Sequence, residues 1–339
     1  MLFTMQATQA LCSHRPCERR SLVFLLSLFG NSLLLWVAYR KRALLKPAEF
    51  FIVNLAISDI GMTLILFPLA TPSFFAHRWL FNHAMCIFYA FCGVLFGLCS
   101  LTSLTALSTV CCMKVCYPAY GRWDMCLKCP FLADSCVWIY AFIFAVAPLA
   151  DWGSYGLEPY GTACCIKWKA STREAKFYIM ALFVFCYIIP CVLIIISYSL
   201  ILWTVKVSRR AHIMIFLLVV LSLFQLSVSV CIGFLAAWTP YAIVAMWAAF
   251  GDASKVPILA FALSAICAKS SATYNPLVYL LFKPNFQKFL SKDLSFFQAV
   301  CAVCCSLTSV VGLSREKLLF LQFYLRGNDI FLPHTRGLS

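Results

Sequence analysis

The sequence predicts an all-α membrane protein, a bundle of seven transmembrane helices with an extracellular N-terminus and a cytoplasmic C-terminus. Three observations carry that prediction. Hydrophobic residues fill 63% of 339 positions and charged residues only 12%, more apolar surface than a soluble domain of this length needs. Seven apolar runs are each long enough to cross a hydrocarbon layer of ~30 Å. Basic residues gather on one side of the resulting topology.

The first run, 21–39, follows Arg15, Arg19 and Arg20, a basic start like that of a signal peptide. It is too long for a signal core and lacks a small-residue cleavage site, so it reads as a retained span. The next four runs are 50–69, 86–113, 131–150 and 177–205, separated by short polar connectors. The sixth, 213–250, is uncharged throughout. As one helix it would rise ~57 Å, nearly twice the hydrocarbon thickness. Residues 213–224 are too few for a crossing of their own, and one reading lays them along the membrane surface. The seventh run is 256–282. The chain divides into an extracellular N-terminus (1–20), the seven-helix domain (21–282) and a cytoplasmic amphipathic helix and tail (283–339).

Seven crossings place the termini on opposite sides. With the C-terminus cytoplasmic, 17 Lys and Arg lie inside and 9 outside, Lys269 standing between them. The net charge of +15 therefore reflects orientation in a bilayer and not nucleic-acid binding. The three N-terminal arginines oppose this rule locally.

Lys269 sits at the midpoint of the seventh run, which contains no other charged residue. An ammonium there costs roughly 2.5–3.5 kcal/mol on insertion scales, so such residues mark function by default. It lies ~20 Å of helix from either end of the run, too far to reach the interface. A deprotonated lysine amine is a nucleophile toward carbonyls. The plainer reading, a lysine paired with a carboxylate for packing alone, carries less weight at that position.

Half of the twenty cysteines lie within spans, where cysteine behaves as a small apolar residue. Cys86 and Cys164 both face the oxidising side, so a bridge between them is plausible, with Cys165 an adjacent competitor. Cys301, Cys304 and Cys305 follow the last span and suit S-acylation. No histidine lies near enough to them for a metal site, and the five histidines are too scattered to form a ligand set.

Short motifs occur in order, one set per span. They are Gly30-Asn31, Asn54-Leu-Ala-Ile-Ser-Asp59, Cys86, Trp138, Pro190 with Tyr198, Trp238-Thr-Pro240-Tyr241 and Asn275-Pro276-Leu-Val-Tyr279. Together they resemble the rhodopsin-like G-protein-coupled receptors. Lys269, seven residues before Pro276, resembles the lysine with which opsins hold retinal as a Schiff base. His77-Arg-Trp79, Tyr155-Gly-Leu-Glu158-Pro-Tyr160-Gly-Thr162 and Trp247-Ala-Ala-Phe250-Gly251 are most similar to the neuropsin group of opsins.

The resemblance implies a covalent retinal on Lys269 and a multi-pass protein of the plasma membrane. It implies Glu158 as counterion, since Tyr89 stands where vertebrate visual opsins carry a glutamate, and Asp151 lies further from the bridge. Trp238, Tyr241 and Tyr89 belong to the implied retinal pocket. Asn31, Asp59, Asn275, Pro276, Tyr279 and Tyr198 form the implied activation network, the first three as a mutual or water-bridged cluster. Absorption at short wavelength or in the ultraviolet is expected. A heterotrimeric G protein of Gi type is the implied partner, and no enzyme activity is. One departure bears on that partner: Val110-Cys111-Cys112 replaces the acidic-Arg-aromatic triplet that ends the third span in this family. A photoisomerase of the same fold suits the missing arginine, while a receptor for a diffusible ligand leaves Lys269 idle.

Overall fold

The computed structural model describes residues 15–40, 42, 45, 47–117, 130–169, 172–207, 211–252 and 255–282. Within these, side chains at 15–23, 47, 130–133, 211–224 and 279–282 lie outside the description. Among the described residues seven helices form the bundle: α1 (Arg15–Arg40), α2 (Pro47–Phe75), α3 (His83–Cys116), α4 (Pro130–Val146), α5 (Arg173–Val207), α6 (Ala211–Phe250) and α7 (residues 258–282). A tight 3-10 turn, Ala147–Ala150, ends α4. Between α4 and α5 lies an antiparallel hairpin of β1 (Tyr155–Leu157) and β2 (Cys164–Ile166). The amphipathic helix and tail expected at 283–339 lie outside the described residues, as do Cys301, Cys304 and Cys305.

All seven expected spans are helical, and two of them start earlier than their apolar runs where polar residues cap them. Asn82 accepts the Met85 amide at 2.9 Å and starts α3 at His83. Thr172 accepts the Ala175 amide at 3.2 Å and starts α5 at Arg173. Each side chain satisfies a donor that the first helical turn leaves unpaired. α3 is the central helix, packed against α2, α4, α5, α6 and both hairpin strands. Large apolar side chains such as Ile139, Ile143, Ile195 and Trp203 face outward from α4 and α5, as a hydrocarbon solvent permits.

α6 is one continuous helix of 40 residues, so residues 211–224 extend it and do not form a separate surface segment. No glycine or proline in that stretch offers a break.

Proline positions locate the irregular backbone. α7 is α-helical over Ile258–Lys269, tightens to a 3-10 turn at Ser270–Thr273, and resumes at Tyr274–Phe282. The apolar run alone predicts an unbroken helix. Two local features break it. Ser270 and Thr273 donate to the Cys267 and Ser270 carbonyls at 2.8 and 2.6 Å, competing with the helical ladder. Pro276 has no N–H for the carbonyl of Ala272, which instead accepts Asn31 Nδ2 at 2.9 Å and Ser27 Oγ at 3.3 Å. In hydrocarbon a freed carbonyl needs such a donor. In α5 the residues Val184–Ile188 form a π turn, with Ile189 N–H bonded to the Val184 carbonyl.

Candidate functional site

Glu158 occupies the hairpin tip, and three backbone hydrogen bonds fix it there. Its N–H donates to Ala163 at 2.9 Å, its carbonyl accepts Gly161 at 2.8 Å, and Trp79 donates to the Gly161 carbonyl at 2.8 Å. Gly161 takes a left-handed φ of 74°, a conformation that glycine adopts without a Cβ penalty. The structure joins Cys86 of α3 to Cys164 of β2, which staples the hairpin over the helix bundle. Successive strand residues point to opposite faces, and this settles the competition between adjacent cysteines. Cys165 remains a free thiol in the cavity wall and donates to the Ile166 carbonyl at 3.1 Å. Burial, with the Glu158 carboxyl adding to it, raises the Cys165 thiol above its ordinary range, so it stays protonated.

Beneath the hairpin lies an almost wholly apolar cavity between α3, α5, α6 and α7. Lys269, Glu158, Tyr89, Trp238 and Tyr241, assigned from sequence alone, all line it. Lys269 Nζ lies 3.3 Å from Glu158 Oε1, in both hydrogen-bond and ion-pair range. The Glu158 side chain is fully enclosed, whereas Lys269 keeps 26% exposure, open to the cavity. The lysine nitrogen also sits 5.2 Å from the Tyr89 ring centroid, a favourable cation–π distance. Glu158 is the acid that the resemblance implied as counterion, and its carboxylate lies within hydrogen-bond range of the amine. Asp151, the other acid near the hairpin, is exposed and caps the 3-10 turn with a left-handed φ of 63°. It is no competitor.

Two polar atoms at the site are buried without a hydrogen-bond partner, Glu158 Oε2 and Tyr89 OH. Tyr160 packs beside Glu158; burial first, and that carboxyl second, raise its phenol well above the ordinary range. The cavity floor is Trp238, stacked on Phe234 at 5.5 Å and edge-on to Tyr241 at 6.3 Å. Its Nε1 donates to Ser271 Oγ at 3.0 Å, two residues beyond Lys269. A Cβ on Gly97 would stand 2.9 Å from Trp238 Cη2, so the indole needs glycine opposite it. Trp168 closes the upper wall and donates to Tyr241 OH at 3.4 Å.

The expected polar network separates into parts. Asn275 Nδ2 donates to Asp59 Oδ2 at 2.6 Å. Asn31 joins α7 through the Ala272 carbonyl and makes no direct bond to Asp59. Ser27 and Thr63, which sequence reasoning missed, link α1 to α2 at 2.7 Å, and Thr63 donates to the Asp59 carbonyl at 2.6 Å. Tyr198 stands apart, 3.4 Å from Cys231 of α6, one turn from Ser227, which donates to Cys111 at 3.9 Å. Cys111 is thus buried against α6. The Tyr279 side chain lies outside the description.

Comparison with known proteins gives a consistent result. The profile of the 7 transmembrane receptor (rhodopsin family) matches residues 30–279. Opsin-5 of Homo sapiens is 35% identical over 280 residues, covering 78% of this chain and 77% of that protein. The visual pigment-like receptor peropsin of Homo sapiens is 28% identical over 291 residues, covering 85% of each chain. The crystal structure of squid rhodopsin superposes with a TM-score of 0.75 at 25% identity, covering 83% of this chain and 80% of that one. The chain belongs to the rhodopsin family of seven-transmembrane receptors, as a multi-pass opsin of the plasma membrane with relatives in the Opsin-5, or neuropsin, group.

Proposed function

We propose that the protein is a light-sensing receptor that holds retinal covalently, as a Schiff base on Lys269, and absorbs at short wavelength. The observation that carries this reading is the Lys269–Glu158 pair, 3.3 Å apart, facing an apolar cavity. A lysine kept only for packing would have its partner, yet it would not face a cavity walled by aromatic side chains. Retinal supplies the conjugated chain that absorbs light and isomerises. Glu158 can take a proton from the ammonium, freeing the amine to condense with an aldehyde with loss of water, and then return that proton to the Lys269 nitrogen and balance its charge. A carboxylate so close localises positive charge on that nitrogen, which favours a short-wavelength band. The fit is supported by the unpartnered Glu158 Oε2 and Tyr89 OH and by the room that Gly97 leaves beside Trp238.

Borohydride reduction of retinal-loaded protein should fix retinal mass on the peptide containing Lys269, and Lys269→Ala should be colourless. A coloured Lys269→Ala protein overturns the reading, and a band well into the green overturns its short-wavelength part. In this reading the N-terminus is extracellular and the tail cytoplasmic, and the partner is a heterotrimeric G protein, with the Gi type first to test.

One observation favours a second reading, a retinal photoisomerase. Cys111 is buried at the α3–α6 contact where the family's arginine would meet a G protein. Light-dependent nucleotide exchange on a G protein separates the two: its complete absence with isomerisation intact favours the isomerase.

A further inference from the structure

The α5 wall of the cavity contains a hydrogen-bond chain that ends in the backbone of α6. Tyr187 lines the cavity, and its phenol oxygen lies 2.8 Å from Thr239 Oγ1. Thr239 Oγ1 in turn lies 2.6 Å from the Leu235 carbonyl, to which it donates. A threonine hydroxyl has one hydrogen, already given to Leu235, so Tyr187 is the donor in the first bond. The order of donation is fixed: Tyr187 to Thr239 to the α6 backbone.

One end of this chain sits in a turn that departs from α geometry, and the other sits beside a proline inside α6. Tyr187 belongs to the π turn Val184–Ile188, and π turns inside helices frequently accompany functional sites. In the five-residue register of that turn, Pro190 would have served the Phe185 carbonyl and has no N–H to do so. Tyr140 of α4 donates to that carbonyl instead, at 2.8 Å. Thr239 lies between Trp238 and Pro240, where the missing proline N–H weakens α6. The Pro240 region of α6 is therefore held from two sides, by Trp238 on Ser271 of α7 and by Thr239 on Tyr187 of α5.

We propose that Tyr187 and Thr239 form a latch that restrains α6 beside Pro240, released when a change of ligand shape in the cavity displaces the Tyr187 ring. Tyr187 is a positioning residue, acting on α6 through Thr239. The proposal rests on the light-receptor reading for what displaces Tyr187, whereas the coupling of the two hydroxyls belongs to the protein without ligand.

The test follows motion of α6 in full-length protein free of retinal, from a fluorescent unnatural amino acid placed at the Ala211 end of α6. Thr239→Val should raise outward excursions of α6 roughly five-fold, the size of one net intramolecular hydrogen bond. Tyr187→Phe should do the same, and the double variant should go no further than either single one. Thr239→Ser, which keeps the hydroxyl, should restore wild-type motion; a merely structural loss would not be rescued so specifically. Multiplying effects in the double variant, or wild-type motion in either single one, overturns the latch. Because no retinal is present, these outcomes are independent of whether Lys269→Ala loses colour.

Discussion

Glu158→Gln keeps the size of the side chain and removes one charge. With Oε1 and Nζ 3.3 Å apart, Coulomb's law at an effective dielectric constant of about 20 gives an attraction of ~5 kcal/mol. That energy corresponds to between three and four decades in a protonation equilibrium, roughly 1.4 kcal/mol per decade. Desolvation of the fully enclosed carboxylate offsets part of it, but stranding the remaining partner of a buried pair still costs about 3–5 kcal/mol. Absorption spectra of retinal-loaded wild type, Glu158→Gln and Glu158→Asp across a pH series measure the effect. In Glu158→Gln the proton at the Lys269 nitrogen loses its holder, so the band should move into the near ultraviolet at neutral pH and return on acidification. Glu158→Asp, shorter by one methylene, should fall between the two. An unchanged band in Glu158→Gln at every pH would show that this carboxylate does not govern the Lys269 nitrogen.

Other residues lead to separate tests. Cys86 and Cys164 close a loop with a separation of 78 residues, for which chain entropy assigns about 4.5 kcal/mol; Cys86→Ala should lower the yield of folded receptor and its thermal midpoint, and an unaltered melting curve would refute the staple's role. Gly97→Leu drives a side chain into the Trp238 indole, whose Cη2 would already lie 2.9 Å from a Cβ there; pigment yield on adding retinal should fall several-fold while the apoprotein still folds. Asn275→Ala removes the 2.6 Å donor to Asp59, and a buried bond of that kind is worth about 1–3 kcal/mol; a melting shift below one degree would show that Asp59 has another adequate partner.

The sequence alone determines the seven crossings, because in hydrocarbon a chain must satisfy its backbone internally and long uncharged runs leave only the helix. It also identifies Lys269, since one charge at the middle of a 27-residue apolar run marks function by default. The resemblance assigned Glu158, and the structure places it 3.3 Å from Lys269 across 111 residues of chain. That proximity was not legible from periodicity: it depends on how the hairpin folds back and on the bond from Trp79 that pins its turn. The choice of Cys164 over Cys165 was equally open until strand alternation aimed one at α3 and the other into the cavity. The break in α7 and the π turn in α5 were hidden for a related reason. Proline marks where a carbonyl loses its helical donor, but only packing decides which neighbour replaces it, Asn31 in one case and Tyr140 in the other. Local chemistry fixes what each residue needs, and tertiary contacts over long sequence separations decide which partner meets that need.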